Sequence, residues 1–209
     1  MPSRLESLAQ GRRRLRGGEA LFSCGDPLCS LYSVCGGSFK TNTVDGEGRA
    51  QVTGFFMAGD LLGLDGIGSG SYSVTAMALE ESLVCVTPYA LVERLAREMP
   101  EVQRELQAAL SGEIVREHAM MLLLGSMRAE QRLAAFLLNL SSRFARRGYS
   151  PSDFYLRMTR EDNGSYLGLA LETESRLFSR LQVQGIVEIR QRHVRLLDVA
   201  RLHALGRTG

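Results

Sequence analysis

Three side chains in the last third of the chain carry recognisable chemistry: Glu172, Ser175 and Arg176. They lie three and four positions apart, so on a helix they share one face. A carboxylate there can accept from cytosine N4, a hydroxyl can meet a thymine edge, and a guanidinium can bond guanine O6 and N7 in a DNA major groove. Thr173 stands beside them in the chain. Leu177 and Leu181, four apart, mark a second, apolar face of the same stretch, Leu169–Leu181.

Such a helix needs a support. Thr159-Arg-Glu-Asp162 has the form of a capping box, with Asp in place of the usual Glu, and starts a helix that continues through Asn163–Leu167 until Gly168 turns the chain. Helix, glycine turn, helix is the helix-turn-helix arrangement. Arg160 and neighbouring arginines are candidates to anchor phosphates, which fixes position without reading sequence. After Gly185, Ile186–Arg190 and His193–Leu197 alternate as two strands around Gln191-Arg192 and predict a small wing, with Val199–Leu205 as a last helix. Upstream, Arg128–Arg147 predicts an amphipathic helix, with Leu133, Phe136, Leu137 and Leu140 inward and Arg132, Arg143, Arg146 and Arg147 outward. A loop at Gly148-Tyr149-Ser150-Pro151 and a short strand over Phe154–Met158 follow it.

Ahead of these elements, Tyr89–Met99 reads as a short helix ended by Pro100, and Glu101–Leu124 as a long one. Leu110, Ile114, Glu117, Met121 and Leu124 recur at steps of 4, 3, 4 and 3, the a/d seam of a two-chain coiled coil. An acid on such a seam would meet its own copy across a dimer axis and weaken association by like-charge repulsion. Gly125 allows a hinge.

From Leu21 to Val86 the pattern changes to short apolar runs broken by glycine, which predicts an all-β sandwich or barrel. Asp45-Gly46 is a hairpin turn between Phe39–Val44 and Ala50–Phe56, and Leu5 and Leu8 are packing points for a short leading helix. The arginines at 12, 13, 14 and 16 read as a solvated approach to the first strand. Cys24, Cys29, Cys35 and Cys85 form no C-x-x-C pair, and with no secretory segment disulfides are not expected.

The net charge of +2 is unevenly spread: residues 1–124 hold 11 basic and 15 acidic side chains, residues 125–209 hold 14 and 8. The cations of the second part are arginines, suited to phosphate and guanine. No apolar run is long enough to span a membrane and no secretory h-region is present, so a cytoplasmic protein without a membrane partner is expected. His118, His193 and His203 have no acid or nucleophile at a telling spacing, so an enzyme is not expected.

The chain resembles the Crp–Fnr transcription regulators, and within them the Fnr/Anr branch. The resemblance is carried by Gln51-Val-Thr-Gly-Phe-Phe-Met-Ala-Gly-Asp-Leu-Leu-Gly-Leu-Asp65 and by Ala78-Leu-Glu-Glu-Ser-Leu-Val-Cys-Val-Thr-Pro88. It continues through Ser111-Gly-Glu-Ile114, Met121-Leu-Leu-Leu124, Glu130-Gln-Arg-Leu-Ala-Ala-Phe136 and Tyr166-Leu-Gly-Leu-Ala-Leu-Glu-Thr-Glu-Ser-Arg176. It implies an α+β fold: a cyclic-nucleotide-binding-like β-roll (jelly roll) over residues 1–99, a dimerisation helix over 100–125 and a winged helix-turn-helix over 126–209.

It further implies a homodimer on double-stranded DNA that contacts RNA polymerase. Glu172, Ser175 and Arg176 would read the bases. Leu171 and Ser175 stand where the cyclic-AMP branch has Arg and Gly, which implies a TTGAT-N4-ATCAA-like site and a response to oxygen or redox state. The alternative is a regulator whose β-roll senses haem, nitric oxide or a cyclic nucleotide. Against the nucleotide, Gly70-Ser-Tyr-Ser-Val74 puts Tyr72 where that branch has its phosphate-binding Arg.

Fnr proteins hold a 4Fe–4S cluster on four cysteines. Cys85 matches the internal ligand, and the segment bearing the other three is absent from this chain. A shortened chain, a clusterless relative, or an unfamiliar use of Cys24, Cys29 and Cys35 would each account for this.

Overall fold

The glycine-punctuated first part folds as paired sheets. The computed structural model describes residues 7–44 and 46–206, so Leu5 and Asp45 lie outside the described residues. The strands are β1 (Gly11–Leu15), β2 (Ala20–Phe22), β3 (Ser30–Gly36), β4 (Ser38–Val44), β5 (Ala50–Met57), β6 (Leu61–Leu62), β7 (Thr75–Ala78) and β8 (Ser82–Pro88). They form two antiparallel four-stranded sheets, in the orders β1-β8-β3-β6 and β2-β7-β4-β5. Alternation along the strands sends Leu15, Leu21, Phe22, Val34, Phe39 and Val84 into one core, together with Tyr72. The arginines at 12, 13 and 14 lie within β1 rather than before it, with exposed side chains.

Pro88 ends β8 and leads into α1 (Tyr89–Glu98). Val92 of α1 and Val102 at the start of α2 (Pro100–Ser126) share a second core with Leu31 and Leu64, against which Leu8 packs. Pro100 opens α2, where its missing N–H costs nothing. This helix runs unbroken for 27 residues, about 40 Å at 1.5 Å per residue. It passes through Gly125, and the break falls at Met127–Arg128.

The chain divides into two compact units inside α2, one ending at Arg116 and one starting at Glu117. The second unit contains α3 (Ala129–Arg146), β9 (Asp153–Tyr155), α4 (Arg160–Leu167), α5 (Leu171–Val183), β10 (Val187–Arg190), β11 (His193–Leu196) and α6 (Val199–Gly206). Leu133, Leu137, Leu140, Leu167, Leu181 and Leu202 are its fully buried leucines. The wing is wider than the sequence implied. Phe154 of β9 pairs with Val194, so the sheet has the order β10-β11-β9. Among the described residues no helix is long and apolar enough to cross a membrane.

Two expectations are corrected. Disulfides are not expected without a secretory segment, yet Cys35 and Cys85 are joined as one, with Cα atoms 6.2 Å apart. The pairing of β3 with β8 brings them together. Arg132, expected to face outward, is part-buried: its guanidinium donates to the carbonyls of Leu124 (2.9 Å), Met127 (2.9 Å) and Leu167 (3.0 Å). Main-chain carbonyls at the ends of two helices, α2 and α4, lack helical partners and attract a fan of donors there.

Candidate nucleic-acid interface

The capping box at the start of α4 forms as its spacing required. Thr159 Oγ1 accepts from the Asp162 amide at 3.0 Å, and the Thr159 amide donates to Asp162 Oδ2 at 3.0 Å. Gly168 ends α4 in the left-handed region, with φ 62°. The conformation calls for glycine, and a Cβ there would press on Arg132 Nη1 at 3.2 Å and Leu124 Cδ2 at 3.3 Å.

The turn delivers α5 with two distinct faces. Glu174, Phe178 and Leu181 are buried, at steps of four and three. Glu172, Ser175 and Arg176 are exposed and Thr173 is half-buried. Arg176 Nη2 donates to Thr173 Oγ1 at 3.3 Å and Nε to the Glu172 carbonyl at 3.3 Å, which folds the guanidinium along the open face. These four residues therefore gather on one exposed turn. The arrangement offers an acceptor, hydroxyls and a forked donor to whatever lies against the helix.

Arg160 is placed differently. Its side chain lies against the inner face of α5, with Nη1 3.6 Å from Glu174 Oε1 and the guanidinium 3.7 Å from the centre of the Phe178 ring. Glu174 is fully buried, as is Asn163. Burial pushes the Glu174 carboxyl up to about 7, against the opposing pull of Arg160 and Asn163. Burial likewise lowers the affinity of Arg160 for its proton, opposed by Glu174. Sequence reading missed this buried group because Glu is seldom fully enclosed. The signal was its place four before Phe178 and seven before Leu181.

The wing adds cations. Arg157, Arg190, Arg192 and Arg195 are exposed. Arg195 is tied to Glu188 at 3.0 Å and to Asp153 at 3.4 Å, while His193 bonds Asp153 at 2.5 Å and stacks on Tyr155.

On α2, Leu110 and Leu124 are half-buried, Glu117 is exposed, and Ile114 and Met121 are 53% and 62% exposed. Val115 and Leu122 are likewise exposed, so the long helix carries an apolar strip that its own chain leaves open.

In the β-roll, Tyr72 is buried, donates from its hydroxyl to the Ser30 carbonyl at 2.7 Å, and accepts from the Ser30 amide at 3.3 Å. Its ring stacks on Phe22 with centres 3.9 Å apart. For an iron–sulfur cluster, the fit is poor. The sulfur of Cys85 is bonded to Cys35, Cys24 and Cys29 are exposed, and among the described residues no three metal-ligating side chains converge.

A β-roll followed by a winged helix-turn-helix with an open recognition face defines a DNA-binding transcription regulator. Residues 12–99 match the cyclic nucleotide-binding domain, and residues 131–205 match the Crp-like helix-turn-helix domain. The chain belongs to the Crp/Fnr family. It is 46% identical over 202 residues to the transcriptional regulatory protein btr of Bordetella pertussis, covering 97% of this chain and 84% of that protein. It is 44% identical over 190 residues to the fumarate and nitrate reduction regulatory protein of Escherichia coli K12, covering 91% and 76%. The structure of FixK2 from Bradyrhizobium japonicum superposes with a TM-score of 0.87 at 31% identity, covering 95% of this chain and 98% of that one. These relatives are regulators, not enzymes.

Proposed function

We propose that this chain acts as an Fnr-type regulator: a homodimer that places two copies of α5 on a palindromic TTGAT-N4-ATCAA-like promoter site in response to oxygen or redox state, and that contacts RNA polymerase there. The observation that carries the reading is the exposed turn holding Glu172, Thr173, Ser175 and Arg176. Glu172, Ser175 and Arg176 read base edges, and exposed arginines such as Arg192 on the wing meet phosphates. Arg160, turned toward Glu174, serves the mounting of α5 more than a phosphate.

Dimerisation uses the open strip of α2. Leu110, Ile114, Met121 and Leu124 supply apolar contact, and Glu117 opposes it. Like-charged side chains meeting at an axis make the association sensitive to a second influence. A cyclic nucleotide is disfavoured as that influence, because Tyr72 stands where the cyclic-nucleotide branch has its phosphate-binding Arg and offers a phosphate no cation.

The test is the affinity of the full chain for a TTGAT-N4-ATCAA duplex against a scrambled duplex, at one fixed salt concentration. Preference for the palindrome supports the reading. Equal affinity for the two would refute the base-reading role of α5.

A further inference from the structure

We propose that Arg160 is a phosphate-binding side chain gated by Glu174: the ionised carboxylate holds it against the inner face of α5, and uptake of a proton by that carboxylate releases it to the DNA backbone. The proposal rests on the DNA-binding reading above and makes that binding tighter in acid.

The gate is built from side chains that the helix-turn-helix encloses together. Glu174 and Asn163 are fully buried, while the Arg160 side chain keeps 28% of its surface exposed. Both carboxylate oxygens of Glu174, the amide oxygen and nitrogen of Asn163, and Nη1 of Arg160 make no hydrogen bond of ordinary geometry among the described residues. Buried polar groups are nearly always paired, so a cluster of such atoms calls for an explanation. Arg160 and Glu174 are held by attraction across 3.6 Å rather than by a shared hydrogen bond. A pair of that kind parts at less cost than a bidentate one. The Phe178 ring lies 3.7 Å from the guanidinium. A ring attracts a cation without using its N–H donors, which leaves those donors to another acceptor.

One charge governs the gate. The elements packed against α5 are α3, α4 and β10. On α4, Arg160 faces Glu174, Asp162 is engaged with Thr159, and Glu161 is exposed. On α3, Glu130 pairs with Arg180 of α5 at 3.5 Å, Arg132 donates to main-chain carbonyls, and Arg143 and Arg146 stand at the far end of the helix. On β10, Glu188 pairs with Arg190. On α5 itself, Glu172, Arg176 and Arg180 are exposed. Arg160 is therefore the charge that opposes the burial of Glu174, and burial has the larger effect. The carboxyl takes up its proton at about 7, from solvent that reaches it along the partly exposed Arg160 side chain.

Protonation changes what Arg160 can do. A guanidinium keeps its own charge throughout the neutral range. Once Glu174 is neutral, an inward Arg160 is an unpaired cation in an enclosed space, which is costly. Arg160 is the first residue of α4. In a helix-turn-helix the first helix crosses the DNA backbone while the second lies in the groove. A guanidinium released there meets phosphate, and the contact adds affinity without reading sequence. With Glu174 ionised, carboxylate and phosphate compete for the same cation. By linkage, DNA that takes Arg160 raises the affinity of Glu174 for its proton by the same factor.

The test is the salt dependence of binding by the full chain at pH 6 and at pH 8, read by anisotropy on the TTGAT-N4-ATCAA duplex and on its scramble. Each phosphate contact contributes about 0.9 to the slope of log affinity against log salt concentration, so two released arginines per dimer should steepen the slope at pH 6 by about 1.8. Affinity at low salt should rise on the order of 10-fold from pH 8 to pH 6. Glu174→Gln, a neutral isostere, should show the steeper slope and the tighter binding at both pH values, and its preference for the palindrome shows that it folds. That comparison separates the gate from His118, His193 and His203, which both proteins retain. Arg160→Gln should have one slope at both pH values. A wild-type slope that is the same at pH 6 and pH 8 overturns the proposal. So does a Glu174→Gln variant whose slope still changes with pH. Equal affinity of the wild type for the duplex and its scramble at both pH values instead overturns the regulator reading.

Discussion

The guanidinium of Arg160 stands 3.6 Å from the carboxylate of Glu174 in the enclosed space between α4 and α5, too far for a hydrogen bond. The carboxylate is held with incomplete compensation, and burial raises it to about 7 from an ordinary 4.5. The folded state thus binds a proton more tightly than the unfolded chain does. The stabilisation from this group is complete below about pH 4.5 and is lost as pH rises through 7. Most carboxylates in ion pairs do the opposite. Thermal unfolding of the wild type should therefore fall relative to Glu174→Gln between pH 5 and 8, with the variant melting about 5 °C or more above the wild type at pH 8. A constant difference across that range would refute the assignment.

Recognition by α5 predicts a position-specific loss. Arg176→Ala should cost about 1–3 kcal/mol on the preferred duplex and relax discrimination at one base pair of each half-site. A wing variant such as Arg192→Ala should instead weaken all duplexes alike and reduce the salt dependence. Competition titrations with single-base variants of the duplex separate the two patterns.

Association should respond to Glu117. Replacing it by alanine removes like charge from the strip that holds Ile114 and Met121, so sedimentation velocity should show a higher dimer fraction at equal chain concentration. An unchanged fraction counts against a dimer formed along this face of α2.

The turn before α5 depends on Arg132. Its donors reach carbonyls of Leu124, Met127 and Leu167, a set that one ammonium cannot serve in the same geometry. Arg132→Lys should lower the stability of the second unit by about 2 kcal/mol in chemical denaturation, given 1.5–3 kcal/mol for hydrogen bonds to a charged group.

Spacing made the elements legible and left their lateral partners hidden. Glycine-punctuated apolar runs gave the strands of the β-roll, and the Thr159–Asp162 box with Gly168 gave the helix-turn-helix, because each depends on contacts within a few residues. The exposed face of α5 followed from three- and four-residue steps alone. Leu177 and Leu181 gave only part of the inner face, since a buried Glu174 contradicts the ordinary preference of carboxylates for water. The inward turn of Arg160 depends on that same buried group. Arg132 bonds main-chain atoms as far as 36 residues away, and Cys35 meets Cys85 across a separation of 50. Neither has a local pattern, because both are consequences of which strand or helix ends as neighbour to which.

Tyr72 gives the β-roll one more property. Its phenol is bonded on both sides to Ser30 and its ring lies on Phe22. A side chain bonded and stacked in this way belongs to the core of the sheets and offers a phosphate no cation. Added cyclic AMP should leave the melting temperature where it is. The domain keeps the sheets of the cyclic nucleotide-binding family and carries an aromatic core residue at a position where holding a phosphate would call for a charge.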